Sequence, residues 1–303
     1  MIVFHYTDIE NLDQILSTTS KGNQHLVLKA KHRCYLQDDS QRTFGRYLLP
    51  SCIEAIEADL EIEPVMTVSS LIKDPQYIQY ILDSVNTYND HRQGIESFVL
   101  SFSEDQDNVE LWEKSGNAGR GVALGFDTDK LQPDYKRFVN VFSDRCTYWS
   151  DQIKDRDYRL DKNSKLYAGI KRVYQMMSDP RVIESFSVIY GQENPQTQIL
   201  QRIKDTLVSN IITTFDVFNK QHTYRNEKEY RMSLGAMPVE IEFVKDPEGD
   251  YIPFANVAIP VAALRMMVIG RKCGKNAYGM IKSLLMQKGI SQDISIINSQ
   301  VKD

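Results

Sequence analysis

The spacing of apolar residues changes twice along this 303-residue chain, from a period of two to a period of 3.6 and back again. Strand-like alternation marks Ile2 to Tyr6, Ser97 to Ser103, Gly121 to Phe126 and Arg137 to Phe142. From about Asp151 to His222 the spacing is helical, through Leu166, Ile170, Val173 and Met177, then Ile199, Ile203, Leu207, Ile211, Phe215 and Phe218. Alternation resumes at Tyr224 to Leu234, Val239 to Val244, Tyr251 to Ile259 and Arg265 to Ile269, and a last strand is expected at Asp293 to Asn298. Strands near both ends, separated by a helical block, predict an α+β fold with a mixed sheet assembled from distant stretches. The expected organisation is a single domain over residues 1–303 with a helical insertion at about 151–222.

Punctuation supports this reading. Thr7-x-x-Glu10 has the form of a capping box that would start a helix carrying Ile9, Leu12, Ile15 and Leu16 inward. Pro50 and Pro75 sit where a first helical turn accepts proline, ahead of Ile53, Ile56 and Leu60 and of Ile78, Ile81, Leu82 and Val85. Asp107 and Asn108 offer N-caps for a short helix through Leu111 and Trp112. A final helix carries Tyr278, Ile281, Leu284 and Leu285 and ends near Gly289.

Composition narrows the function classes. No stretch reaches the roughly 20 apolar residues of a membrane helix, and MIVFHYTDIENL lacks the basic and apolar regions of a secretory leader, so no membrane association is expected. Four scattered cysteines without a CxxC pair suit a reducing cytoplasm. A net charge of −5 gives no general attraction for nucleic acid. The local cluster Lys29, Lys31, His32 and Arg33 reads as a solvated edge strand, with phosphate contact as the rarer alternative. His32 and Cys34 have no second pair to complete a zinc site, so no metal is expected. Cys52, near a helix start, reads as a buried structural residue in the absence of a histidine partner.

Three strands carry polar residues in alternation: Val3, His5 and Thr7; Ser101 and Ser103; Glu227, Glu229 and Arg231. A carboxylate fixed beside a ribose stabilises the positive charge that develops when a glycosidic bond to a neutral leaving group breaks. Glu229 has the right chemistry for that part, a serine hydroxyl could hold it, and an imidazole could fix a second ribose. The neutral alternative is ordinary strand decoration: a hydrogen-bonded histidine, solvent-facing serines and cross-strand ion pairs.

His5-Tyr6-Thr7 with Leu12 and Ile15-Leu16, Ser101-Phe102-Ser103-Glu104, Asn108 to Trp112, the strand Gly121 to Phe126, Glu227-Lys228-Glu229-Tyr230-Arg231 and Val268-Ile269-Gly270 together resemble a family of bacterial domains of unknown function. That family is similar to the ADP-ribosyltransferase superfamily. The resemblance implies a split mixed sheet of that type and NAD as substrate. It implies Glu229 as the catalytic carboxylate and Glu227 as the residue that positions or deprotonates the acceptor. His5 would contact the adenosine ribose, Tyr6 and Thr7 would also line the NAD site, with Tyr6 at the place whose backbone meets the nicotinamide amide, and Ser101 and Ser103 would support the site. Tyr6 stands where the superfamily often has glycine. The aromatic that would stack on nicotinamide is sought among Tyr35, Phe102 and Trp112, with Tyr35 or a loop aromatic preferred because alternation turns Phe102 away from the serines. The implied acceptor is a macromolecule, protein or nucleic acid, and the implied use is as a toxin or phage-defence effector. NAD hydrolysis, or a non-catalytic nucleotide- or protein-binding role, are the alternatives.

Overall fold

The alternation at residues 97–103 becomes strand Glu96–Ser103 in a computed structural model that describes residues 1–17, 25–36, 49–85, 96–132, 138–149, 162, 165–177, 179–181, 184, 188, 196–236, 241–245, 249–290 and 293–301. In chain order the strands are β1 (Ile2–Asp8), β2 (His25–His32), β3 (Glu96–Ser103), β4 (Gly121–Asp127), β5 (Phe138–Arg145), β6 (Thr147–Trp149), β7 (Asn219–Gln221), β8 (Glu229–Ala236), β9 (Ile241–Lys245), β10 (Tyr251–Pro260), β11 (Leu264–Ile269) and β12 (Ser295–Asn298). Arg137, Val239 and residue 240, expected as strand, lie outside the described residues. The chain divides into two compact units, the first drawn from Met1–Tyr35, Gln93–Cys146 and Thr223–Asp303, the second from Leu36–Arg92 and Thr147–His222.

The first unit is a mixed sheet that forks at β3. Strand β8 pairs with β3 along its whole length, from Glu96↔Ala236 to Ser103↔Glu229, and β5 pairs with the far side of β8. The other edge of β3 is shared. At one end Phe4 of β1 stands opposite Ser103; at the other, Lys31 and His32 of β2 stand opposite Val99 and Phe98. One branch continues β1, β4, β11, β12 and the other β2, β10, β9. Strands β11 and β12 run parallel, joined through a helix at Ala277–Gln287, and the other pairings are antiparallel.

One face of this sheet is the main core. Val3, Leu26, Leu28, Phe98, Leu100, Phe102, Leu124, Phe126, Tyr230, Met232 and Leu234 bury their side chains there, together with Leu12, Ile15 and Leu16 of helix α1 (Asn11–Ser17). Each such side chain contributes on the order of 1.5–3 kcal/mol. A smaller apolar group, Phe4, Tyr6, Trp112, Ala123 and Val268, lies on the opposite face.

Four sequence expectations change. Thr7 belongs to β1 instead of capping α1, and its Oγ1 accepts a bond from Asn11 Nδ2 at 3.3 Å. Strand propensity and pairing with β4 carry β1 on to Asp8 and delay the helix by one turn. Strand β2 is interior rather than an edge, and of its basic cluster His32 and Arg33 are buried. Tyr278 is 47% exposed, so the last helix buries only Ala277, Ile281 and Leu285. Glu227 closes a 3-10 helix (His222–Glu227) instead of lying on the strand, and Lys228 has φ 44°, which breaks the alternation between Glu227 and Glu229.

The second unit contains α2 (Leu49–Asp59), α3 (Ser69–Ile72), α4 (Pro75–Val85), α6 (Lys165–Met177) and α7 (Gln196–Phe218), with β6 and β7 as a short parallel ladder; α5 (Val109–Lys114) and α8 (Ala277–Gln287) belong to the first. Pro50 and Pro75 occupy first turns, as expected. The helical spacing is realised: Ile199, Ile203, Leu207, Ile211, Phe215 and Phe218 are all buried. Glu57 on α2 joins three elements, accepting bonds from the backbone N–H of Val68 (2.6 Å) and Ser69 (3.1 Å) and from Tyr174 Oη (2.6 Å). Cys52 is fully buried. Among the described residues no helix is long and apolar enough to cross a membrane.

Truncating the α7 stripe tests this packing. Ile203→Ala or Leu207→Ala, at 1% and 0% exposure, is expected to lower stability by about 2–5 kcal/mol, measured as a urea midpoint shift at constant slope.

Candidate functional site

The register of β3 and β8 sets Ser101 opposite Arg231 and Ser103 opposite Glu229, so these four share one face, the one away from the main core. The sequence arranges this by alternation: Phe102, Tyr230 and Met232 take the core side, and the polar residues between them must take the other. Yet the polar side is itself covered. Ser103 is 0% exposed, Arg231 7% and Glu229 8%. A carboxylate in such a place must be paired, and Arg231 Nε donates to Glu229 Oε1 at 2.8 Å. The backbone carbonyl of Glu229 accepts from Cys146 N at 2.8 Å, and the Cys146 thiol lies 3.9 Å from Glu229 Oε2.

Glu227 joins the same group from the turn before β8. Ser103 Oγ donates to the Glu227 carbonyl at 2.7 Å and accepts from Asp105 N at 3.0 Å. The Glu227 carboxylate, also buried, is paired with Lys114 Nζ at 2.6 Å, and that ammonium stands 5.3 Å above the Tyr224 ring. Two carboxylates are thus held on one side of the sheet, each by a cation and each tied to the backbone around Ser103. Chemically, this arrangement offers fixed negative charge at a strand end, a proton acceptor two residues earlier and a supporting hydroxyl.

Of the other expected site residues on strands, only Tyr6 shares this face. His5 lies on the opposite face, opposite Leu124 of β4, with its ring 5.8 Å from Phe102 in an edge contact. Its Nδ1–H donates to the carbonyl of Ser101 at 3.0 Å, at the place where the fork leaves β3 between Val99 and Ser103 without a strand partner on that edge, among the described residues. Burial pushes the His5 pKa below the ordinary 6.5, and the bond to Ser101 works weakly in the other direction. Tyr6 shares the face of Ser103, but its hydroxyl is engaged: it donates to the Asp105 carbonyl at 2.7 Å and accepts from Asn108 N at 2.9 Å, and burial raises its pKa. Thr7 bonds to Asn11. Tyr35, in the turn after β2, has its ring 6.1 Å from His32, at the Phe98 end of β3, five residues or roughly 17 Å along the strand from Ser103. Phe102 belongs to the main core, and Trp112 is buried with its indole N–H on Asp107 Oδ1 at 2.7 Å. Nothing in the sequence singled out Lys114, 113 residues from Glu227, whereas Arg231 was legible as the next residue of the Glu229 face.

A polar, charge-compensated site on a forked mixed sheet is therefore the class of arrangement that this chain presents. A family model described as "Protein of unknown function (DUF2971)" matches residues 111–232, a stretch that takes in Lys114, Glu227, Glu229 and Arg231 but stops short of His5 and the serines. Searches of curated proteins and of solved structures return no match.

Two outcomes test this geometry. Arg231→Met removes the cation beside a buried carboxylate and is expected to lower stability by about 3–5 kcal/mol, with part of the loss recovered in Arg231→Met/Glu229→Gln, read from melting temperatures. For His5, the unfolded chain takes up a proton near pH 6.5 while the folded chain resists until a lower pH, so stability is full above about 6.5 and falls as pH drops toward the folded value. His5→Gln, which keeps a donor for Ser101 without a titrating ring, is expected to flatten the decline in melting temperature between about pH 7 and pH 5; an unchanged slope would assign that decline to other groups.

Proposed function

We propose that the chain is an NAD-dependent ADP-ribosyltransferase with Glu229 as its catalytic carboxylate. The observation that carries the reading is the placement of Glu229: a buried carboxylate in register with Ser103, oriented by Arg231, two residues after a second buried carboxylate. In the proposed reaction the bond between the ribose C1′ and the nicotinamide nitrogen breaks, nicotinamide leaves as a neutral molecule, and Glu229 faces the positive charge left on the ribose. An acceptor nucleophile on a protein or nucleic acid then forms the new bond at C1′ and gives up its proton, for which Glu227 is the base. Ser103 holds the turn that carries Glu227 through its bond to the Glu227 carbonyl. In this reading His5 acts by holding β3 at the fork through Ser101, because its ring lies on the other face of the sheet.

Incubation with labelled NAD and a cell lysate separates the outcomes. Labelled macromolecule supports transfer, free ADP-ribose supports hydrolysis, and intact NAD removes the reading. Glu229→Gln is expected to reduce nicotinamide release by on the order of 10² to 10³ while circular dichroism reports an intact fold; wild-type turnover in that variant would take Glu229 out of the chemistry.

A further inference from the structure

Beside the polar group runs a loop, residues 104–108, whose Asp105 carbonyl and Asn108 N–H are held by the Tyr6 hydroxyl and which is tied down on two further sides. Toward β8, Glu104 N donates to the Lys228 carbonyl at 3.0 Å, Asn108 Nδ2 donates to the Asn226 carbonyl at 2.6 Å, and Lys228 Nζ lies 3.4 Å from Asp105 Oδ2. On the other side the loop is held by a segment almost two hundred residues away. Ser299 Oγ donates to Asp107 Oδ1 at 2.6 Å, and the backbone N–H groups of Gln300 and Val301 donate to Asp107 Oδ2 at 2.6 and 3.2 Å.

Asp107 is therefore a four-donor acceptor, since it also receives the Trp112 indole. Hydrogen bonds to an ionised carboxylate are about twice as strong as neutral ones, and three of these four come from residues 299–301. The same segment is anchored at its start by Ser299 N on the Ile269 carbonyl at 2.8 Å, and Val301 packs on the Phe4, Tyr6 and Trp112 group. The strand ends at Asn298, and past the Ser299 N–H bond to Ile269 the segment is held by Asp107 and by Val301.

We infer that Ser299–Val301 is a strap that fastens the 104–108 loop, so that releasing it from Asp107 frees the loop, and with it the contacts of Ser103 and Asn226–Lys228, while the sheet stays folded. The route is contiguous: strap to Asp107, Asp107 N to Asp105 Oδ1 at 3.1 Å, Asp105 N to Ser103 Oγ, and Ser103 Oγ to the Glu227 carbonyl.

Hydrogen exchange on the full chain tests it. In Asp107→Asn, whose single carbonyl oxygen can serve either the Ser299 and Trp112 donors or the Gln300 and Val301 donors but not both pairs, the N–H groups of Glu104, Asp105, Asp107 and Asn108 are expected to exchange roughly tenfold faster, with the β1, β4 and β11 ladder unchanged. Ser299→Ala, a milder cut at the same joint, is expected to give a smaller change at the same amides. Unchanged loop exchange in both variants would overturn the strap, and so would equal acceleration of loop and ladder, which would make the segment an ordinary part of the core.

Discussion

The fork at β3 is the constraint on which the first unit depends. One edge of this strand is fully paired with β8, but the other serves two strands that belong to different branches, β1 at Ser103 and β2 at Val99 and Phe98. A backbone carbonyl left between two diverging strands must find a donor or lose about 1–3 kcal/mol if it is buried. His5 supplies that donor to Ser101, and its ring meets Phe102 in an edge contact. A single imidazole thus reconciles the hydrogen bonding of β3 with the divergence of its neighbours. Burial keeps that imidazole neutral to a lower pH than usual, which suits a ring packed on an aromatic core.

The same register decides what stands on the opposite face. Because Ser103 is opposite both Phe4 and Glu229, an apolar group and a charged group adjoin on that face. Tyr6 serves both, with its ring 4.9 Å from Trp112 and its hydroxyl bridging the Asp105 carbonyl and the Asn108 N–H. Burying two carboxylates is unfavourable unless each has a cation and further bonds, and Lys114 and Arg231 provide the cations. The proposed chemistry is centred on these two carboxylates because both are buried, each with its cation.

Close packing of backbone also shapes the loops around this face. A side chain at Gly121 would collide with the Thr7 carbonyl, so the start of β4 can approach β1 only with glycine there. The glycine that opens the strand read in the sequence at Gly121 to Phe126 therefore has a steric cause. Asn108 caps α5 through Leu111 N at 3.2 Å, as its residue type suggested, and the same side chain ties α5 to Asn226 across 118 residues. Local capping is a property of the type of residue, whereas the second bond exists only because the fold brings β8 alongside β3.

The sequence by itself determined most of the strands and helices, because periodicity and capping are local, though not the end of β1, the 3-10 turn before β8 or the short β7. The stripe on α7, the N-cap at Asn108, the polar and apolar faces of β3 and the class of mixed α and β structure were all legible. It did not determine which polar residues meet. His5, Ser101 and Glu229 looked equivalent in a linear text, but pairing parity puts His5 on one face and Ser101, Ser103, Glu229 and Arg231 on the other. Tyr35 looked available for the site and stands at the far end of β3; Lys114 looked incidental and pairs with Glu227. Helices α2 to α4 looked separate from the block at about 151–222, yet the unit containing α6 and α7 contains them too. Register, edge and long-range pairing depend on the whole sheet, since a shift of one residue turns every side chain to the other face, and only the tertiary structure decides them.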